Sequence, residues 1–316
     1  MPNVICRNIQ GGGTCKFGSR CRFLHPIDDV PKGVAYSFGS CVKQNRAWED
    51  RHTTYELSPA LRLFMVCDGH CNPRGAFSEY QDKELVVVDC VIKYLPPLLV
   101  EMLQKTNMDD EALIARTITA TFLAFDTTMK EKGREFGATC NLVIVDQLRH
   151  KLYHANLGDS RMIVLHKNKI VFESKDHNVQ DADETKRVLA AGGSVFRDTH
   201  VLMPPDLNNA LGISRAFGDF KHKMNQGVFD PVLGAICAVP TITILQYKPS
   251  TTLLLMTDAV FNCPNKMTSQ NVVDTFLSIE NRKMLTEDVV AQKLCMLCLE
   301  KSQTTDDMTF MIVNLF

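Results

Sequence analysis

The feature that most constrains this chain is a series of apolar runs of strand length, several of which end at an acidic residue. In RLFMVCDGH, residues 62–70, five apolar residues are followed directly by Asp68, Gly69 and His70. An apolar run bounded by a turn signal is typical of a strand buried on both faces, which would place Asp68 at the rim of a core. A carboxylate there is costly unless something compensates its charge. Taken alone, DGH is most simply interpreted as an ordinary Asp-Gly turn.

Other acidic residues stand at the ends of apolar runs that lie far apart in the sequence. They are Glu49, Asp50, Asp159, Asp258, Asp306 and Asp307. Mg²⁺ and Mn²⁺ prefer carboxylates, carbonyls and water as ligands. Several strand-end acids are therefore what a binuclear site of this kind requires. Spacing alone leaves the simpler interpretation open, in which each acid is a solvated strand end.

The remaining pattern predicts the fold class. Helical periodicity is found over 74–105, 109–132, 181–191, 268–280 and 286–301. The first of these helices is expected to bend or break at Pro96-Pro97, and the third to end at Gly192-Gly193. Strands in groups and helices in pairs favour an α+β fold over a βαβ repeat. The Cys295-x-x-Cys298 pair lies in an apolar helix and is interpreted as core packing.

Composition excludes several classes of protein. With 316 residues, 45% of them hydrophobic, the chain can fill a real core, and its net charge of -1 indicates no global attraction to nucleic acid or acidic membranes. No secretory signal or membrane-spanning run is visible, so we expect an intracellular protein, cytoplasmic or nuclear or both, that acts as a monomer away from membranes. The 12 cysteines then indicate reduced thiols together with a metal site.

The N-terminal residues are interpreted as a separate unit. Residues 1–27 are too few and too polar for their own apolar core, and residues 28–33 make a plausible linker to a domain over 34–316. Cys6, Cys15, Cys21 and His25 follow the spacing C-x8-C-x5-C-x3-H. Three thiolates and one imidazole complete a tetrahedral zinc site, whose binding energy would fold the segment. The segment resembles the CCCH zinc-finger family.

Two roles remain open for this finger. CCCH fingers commonly bind single-stranded RNA, and the finger contains arginines and lysine beside Phe17 and Phe23, a mixture suited to stacking on unpaired bases. The alternative is a finger that contacts protein or packs on the neighbouring domain. A single finger offers few phosphate contacts, so its RNA binding would be weak and sensitive to salt.

The motifs of residues 34–316, taken in order, resemble the PPM family, the metal-dependent protein phosphatase 2C type of serine/threonine phosphatase. They are WEDRH, VCDGH, GATC, NLGDSR, KDHN, LAAGGSV, LGISRAFGD, LLLMTDAVFN and TDDMTFMIV. The resemblance implies a β-sandwich of two antiparallel sheets flanked by helix pairs. It also implies two Mn²⁺ or Mg²⁺ ions in a cleft and phosphoproteins as substrates.

Roles carry over to individual positions through this resemblance. Asp68 matches the carboxylate that bridges both ions, and Glu49 and the Gly69 carbonyl match ligands of one of them. Asp258 and Asp306 match ligands of the other ion. The remaining matches are Asp50 for orienting the attacking water, His70 for the general acid, and Asp159 for a ligand of a weaker third ion.

The chain departs from the family pattern where the substrate phosphate is bound. The family has an arginine five residues before the Asp of its first motif, and Asn45 stands there, followed by Arg46. A shift of one residue along a strand turns a side chain to the opposite face, so Arg46 could bind phosphate only with a local bulge. Asn262 also replaces an acid of the late motif, which weakens the third-ion assignment. Three hypotheses follow. The first is an active phosphatase that its finger directs toward RNA or a ribonucleoprotein, and the second is a pseudophosphatase that binds partners without turnover. In the third, the finger is the functional part and the large domain is a regulated scaffold.

Overall fold

The computed structural model describes residues 36–43, 49–70, 87–130, 136–203 and 206–316. These residues belong to two compact units. The first unit draws on 36–43, 162–173 and 248–316, and the second on the described parts of 49–161 and 174–247.

Strands and helices are numbered here in chain order. The strands are β1 (Tyr36–Lys43), β2 (Arg51–Ser58), β3 (Leu61–Cys67), β4 (Gly69–His70), β5 (Gly137–Ala138), β6 (Cys140–Asp146), β7 (Lys151–Leu157), β8 (Arg161–His166), β9 (Lys169–Glu173), β10 (Ser194–Phe196), β11 (His200–Met203), β12 (Asp206–Leu211), β13 (Phe217–Gly218), β14 (Met224–Asn225), β15 (Val228–Phe229), β16 (Thr241–Gln246), β17 (Thr251–Met256) and β18 (Met308–Leu315). The α-helices are α1 (Val87–Gln104), α2 (Glu111–Thr128), α3 (Ala182–Ala190), α4 (Ser269–Leu277) and α5 (Glu287–Ser302).

The first unit is built on a five-stranded sheet with the order β1-β18-β17-β8-β9. Strand β18 pairs antiparallel with both β1 and β17. Helices α4 and α5 pack on this sheet through one apolar cluster that includes Phe276, Leu294 and Phe310. Cys295 and Cys298 belong to the same cluster and are buried, which confirms that this CxxC pair fills the core.

The second unit contains a five-stranded sheet with the order β16-β7-β6-β3-β2, in which every neighbouring pair is antiparallel. Helices α1 and α2 pack on one face of it, where alternate β3 residues such as Leu63 and Met65 meet Leu99 and Phe122. The five residues Leu63 to Cys67 are all 0% exposed, which confirms a strand buried on both faces. Each sheet thus carries a helix pair, and the predicted α+β class with two antiparallel sheets is confirmed.

The predicted helices are found with small shifts at their ends, apart from residues 74–86, which lie outside the described part of the chain. Asp110 and Asp181 cap α2 and α3 by accepting hydrogen bonds from backbone N–H groups. Gly192 has a φ of +84° after the end of α3, as the glycine pair predicted. The helix is not broken at Pro96-Pro97, because α1 continues through both prolines, and the expected bend there stays a prediction.

Within the described residues, no helix is both long and apolar enough to cross a membrane.

Candidate active site

Strand pairing in the second unit brings distant acidic residues to one edge of its sheet. Arg51, the first residue of β2, pairs with Cys67, the last residue of the antiparallel β3. Asp50 precedes Arg51 and Asp68 follows Cys67, so both acids lie at this edge of the sheet. Cys140 pairs with Leu157 on the neighbouring strands, which brings Asp159 to that edge as well. This edge, which we call the acidic edge of the second unit, consists of Glu49, Asp50, Asp68 and Asp159.

Backbone and hydroxyl groups hold Asp68 in place. Its N–H donates to Oγ1 of Thr139 at 3.0 Å, and its carbonyl accepts from the Thr139 N–H at 2.8 Å. The Thr139 hydroxyl lies 2.7 Å from the hydroxyl of Ser160, which follows Asp159. The Gly69 N–H donates to the Glu49 carbonyl at 3.2 Å. These bonds join the strand ends that carry the acidic residues.

Two of the four residues of the acidic edge are withdrawn from solvent. Asp50 is 1% exposed and Asp159 is 4% exposed, whereas Asp68 is half-buried. Burial raises the pKa of the adjacent Cys67 thiol well above its usual value, and the Cys140 thiol and the negative charges of Asp50 and Asp68 add to the effect. Cys67 therefore remains a neutral thiol and offers no thiolate nucleophile at this edge.

In the first unit, antiparallel strand pairing likewise brings two acidic residues to one edge of the sheet. Asp258 follows the end of β17 and Asp306 precedes the start of β18, which is its antiparallel neighbour. Between them, the Thr257 N–H donates to the Thr309 carbonyl at 3.2 Å, and the Thr309 N–H donates to Oγ1 of Thr257 at 2.9 Å.

The electrostatics of this pair favour a bound cation. Asp306 is exposed when the whole residue is considered. The pKa of its carboxyl group is nevertheless raised, first by desolvation of that group and next by the negative charge of Asp258. Asn262 donates from Nδ2 to Oδ2 of Asp258 at 2.7 Å. The neutral residue that replaces the family's acid is thus a hydrogen-bond donor to the predicted ligand.

The donors at both edges fit a hard divalent cation in kind, because they are carboxylate and carbonyl oxygens. Among the residues that the structure describes, however, no three His, Cys, Asp or Glu side chains are grouped so that they could hold a metal ion. The expected ligands are divided between the units, with Glu49, Asp68, Gly69 and Asp159 in the second and Asp258 and Asp306 in the first. Their assignment to particular ions stays a prediction.

His70 lies beside an acidic residue to which the sequence had assigned no role. Nε2 of His70 is 2.7 Å from Oδ2 of Asp219, whose side chain is 2% exposed against 25% for His70. Asp219 ends the motif LGISRAFGD, so its place in a family motif was the available signal.

Five predicted site residues lie outside the described part of the chain. They are the zinc ligands Cys6, Cys15, Cys21 and His25, and the phosphate-binding candidate Arg46. The assignments of these residues and the boundaries 1–27, 28–33 and 34–316 stay predictions.

Comparison with known protein families gives two matches. A family model described as protein phosphatase 2C matches residues 35–308. A second model, for a CCCH-type zinc finger, matches residues 4–26.

Similar proteins carry phosphatase names. The chain is 28% identical to "Protein phosphatase 2C homolog 2" of Saccharomyces cerevisiae, over 88% of this chain and 58% of that protein. It is also 28% identical to "Probable protein phosphatase 2C 5" of Paramecium tetraurelia, over 78% of this chain and 81% of that protein. The chain therefore spans little more than half of the yeast relative.

Solved structures share the fold. A phosphatase from Toxoplasma gondii superposes with a TM-score of 0.70 at 20% identity, over 89% of this chain and 93% of that one. A serine-threonine phosphatase 2C from the same organism gives a TM-score of 0.60 at 19% identity, over 89% and 95% of the two chains.

Proposed function

Because this chain belongs to the protein phosphatase 2C family, we propose that it hydrolyses phosphoserine and phosphothreonine in proteins with the help of Mn²⁺ or Mg²⁺. Family membership implies metal-dependent protein dephosphorylation and phosphoprotein substrates. The observation that carries the proposal is that strand pairing gathers the predicted acidic ligands at the edges of both sheets.

The residues of the chain would divide the work as follows. Glu49, Asp68 and the Gly69 carbonyl would hold one cation, and Asp258 and Asp306 would hold another. Asp159 is the candidate ligand of a third cation. Bound divalent cations supply an activated water and neutralise the charge that develops on the transferred phosphoryl group.

Other groups of the protein would orient the attacking water and protonate the departing oxygen. Thr139 holds the backbone of Asp68, and the Thr139 hydroxyl is itself hydrogen-bonded to that of Ser160. The buried Asp50 would orient the attacking water. His70 would donate a proton to the departing serine or threonine oxygen, as a general acid does. Arg46 remains the candidate contact for the substrate phosphate. The comparisons lend no support to the pseudophosphatase hypothesis.

The test is hydrolysis of a phosphothreonine peptide by the full-length protein, with Mn²⁺ or with EDTA. We expect turnover only with Mn²⁺, and a loss of about 100-fold or more in Asp68→Asn, since weaker changes around metal sites already cost 10- to 100-fold. Asp68→Asn preserves the shape of the side chain and removes its charge.

Asp198→Asn is the matched control, because Asp198 is an exposed acid of the same unit. Calorimetric titration with Mn²⁺ accompanies the assay. A folded wild type that binds Mn²⁺ but hydrolyses no more peptide than Asp68→Asn would contradict the proposal and favour the pseudophosphatase.

We also propose that the N-terminal finger binds one Zn²⁺ and single-stranded RNA. The match of residues 4–26 to a CCCH finger supports the zinc site, and the arginines and aromatics of the segment support stacking on bases. In crosslinking to single-stranded RNA, the full-length protein should exceed Cys15→Ser several-fold at low salt, and the difference should shrink as salt is added. Equal crosslinking by the two proteins would refute the RNA proposal.

A further inference from the structure

A small sheet outside the two large ones brings His70 and Asp219 together. It has the order β13-β5-β4, and in it Gly137 pairs with His70 on one side and with Gly218 on the other. Asp219 comes directly after Gly218. Its carboxylate therefore reaches His70 across Gly137, and the resulting contact between Nε2 and Oδ2 is 2.7 Å long.

Gly137 is the residue that leaves room for this contact. A Cβ atom at Gly137 would collide with Oδ2 of Asp219 and with Nε2 of His70. The backbone of Gly137 does not lie in the left-handed region, so glycine is not required here by the backbone conformation. It is required because a side chain would occupy the space between Asp219 and His70. The two side chains meet in a gap that any other residue would fill.

The backbone turn that carries Asp219 is itself held firmly. Gly218 has a φ of +74° and Asp219 a φ of +50°, a conformation that Asp tolerates better than most residues. The Asp219 N–H donates to the Phe136 carbonyl at 2.9 Å, and its carbonyl accepts from the His222 N–H at 2.8 Å.

A buried ion pair braces the same turn. Nζ of Lys223 lies 2.7 Å from both carboxylate oxygens of Asp126, and both side chains are 0% exposed. Oδ1 of Asp126 also accepts from the Gly218 N–H at 2.9 Å. Breaking a buried ion pair leaves an uncompensated charge, so Asp126 is held in place by Lys223. Because the Gly218 N–H is bonded to this fixed carboxylate, the pair opposes displacement of the turn that carries Asp219.

We propose that Asp219 is a positioning residue for the phosphatase reaction, which holds the His70 ring by accepting a hydrogen bond from Nε2. An ionised carboxylate can only accept, so the contact assigns the Nε2 proton to the bond with Asp219. His70 then acts on the leaving group through Nδ1. In this step His70 carries a proton on both ring nitrogens. As a water oxygen bonds to phosphorus and the P–O bond to the side chain breaks, the electron pair of the broken bond stays on the serine or threonine oxygen. That oxygen takes the Nδ1 proton, which leaves His70 neutral with its remaining proton on Nε2. This inference rests on the proposed function.

The kinetic test compares two substrates of the full-length protein. A phosphothreonine peptide has an alkoxide leaving group that needs a proton, whereas p-nitrophenyl phosphate releases a stable phenolate. In Asp219→Asn we expect kcat for the peptide to fall by about 10- to 100-fold with KM little changed. For p-nitrophenyl phosphate, kcat should change by less than about 3-fold.

Two further variants sharpen this comparison. Asn is favoured at positive φ, so Asp219→Asn keeps the backbone, and Asp198→Asn, at a φ of 59° on an exposed turn, controls for the chemical change. Gly137→Ala, which fills the gap between the two side chains, should show the same selective loss as Asp219→Asn. Equal losses on both substrates would indicate a merely structural role and overturn the proposal.

A spectroscopic readout separates this inference from the function on which it rests. In ¹H–¹⁵N spectra of the histidine rings, we expect a slowly exchanging Nε2 proton that is absent in His70→Asn. It should exchange rapidly in Asp219→Asn and persist in Asp198→Asn. If the wild type hydrolyses neither substrate, the proposed function fails, and the spectra still decide whether Asp219 holds His70. The positioning role would be overturned if the wild type shows no slowly exchanging Nε2 proton, or if the exchange rate of that proton is unchanged in Asp219→Asn.

Discussion

Two buried histidines of the second unit are kept neutral by the fold. His177 accepts from the Gly158 N–H at Nδ1 over 3.1 Å, and its Nε2 donates to Oγ1 of Thr241 over 2.8 Å. Burial, followed by the positive charge of Arg215, lowers the pKa of His177 to about 3. Burial alone lowers the pKa of His154 to about 3 as well. Protonating His177 would cost both its desolvation and the bond to Gly158.

Because of these two histidines, we expect the free energy of unfolding to depend on pH. Their folded-state pKa lies below the unfolded value, so between about pH 6.5 and pH 3 the unfolded chain binds more protons than the folded one. Their contribution is complete above that window and is lost as pH falls through it. The slope approaches about 1.4 kcal/mol per pH unit for each histidine. Urea unfolding between about pH 7.5 and pH 5.5 measures it.

The variant His177→Asn should have a shallower dependence on pH than the wild type. His150→Asn is the matched control, since His150 is exposed and its φ of 51° suits asparagine. An unchanged slope in His177→Asn would show that His177 titrates normally in the folded protein.

At the scale of elements, α1 shows packing overriding local preference. Pro96 and Pro97 each remove a helical hydrogen-bond donor, yet the helix runs unbroken from Val87 to Gln104. Its apolar face, which includes Leu95 and Leu99, is buried in the core of the second unit. Burial of a whole helix face is worth more than the cost of two prolines, and this balance is invisible to a rule applied residue by residue.

One of these prolines should be replaceable with a gain. Pro97 is exposed, so Pro97→Ala restores the N–H donor toward Lys93 without losing core contacts. The helix-propensity gain is about 3 kcal/mol, and the freer unfolded chain offsets up to about 1 kcal/mol of it. We expect the free energy of unfolding to rise by about 1–3 kcal/mol in urea denaturation.

A second proline provides the contrast. Pro249 is exposed in a turn, where it restricts the unfolded chain without removing a helical bond. Pro249→Ala should therefore leave stability unchanged or lower it by up to about 1 kcal/mol. A loss of stability in Pro97→Ala would mean that α1 depends on its prolines.

The β13-β5-β4 sheet is one part of the fold that the sequence patterns did not predict. Its strands are two residues long, and a strand of two residues has no periodicity to detect. Each strand lies within a motif that was recognised for other reasons, namely VCDGH, GATC and LGISRAFGD. The motifs pointed to these residues, and only the pairing showed that they meet.

For the whole molecule, local patterns were sufficient to place the five α-helices that the structure describes and the buried strand that ends at Cys67. The run Leu63 to Cys67 is a fully buried strand, and α2 and α3 begin after the aspartates that cap them. Apolar periodicity and capping signals act over a few residues, so they can be read directly from the chain. The ends of the α4 and α5 helices were also predicted to within a few residues.

The sequence by itself determined that acidic residues stand at strand ends, because an apolar run and the acid that ends it are neighbours in the chain. The order of motifs likewise determined the family. Tertiary structure alone decided which strand ends share an edge, since that depends on the register of strands such as β2 with β3. It also decided that His70 meets Asp219, 149 residues away, because that contact requires three short strands to pair and a glycine to stand between them.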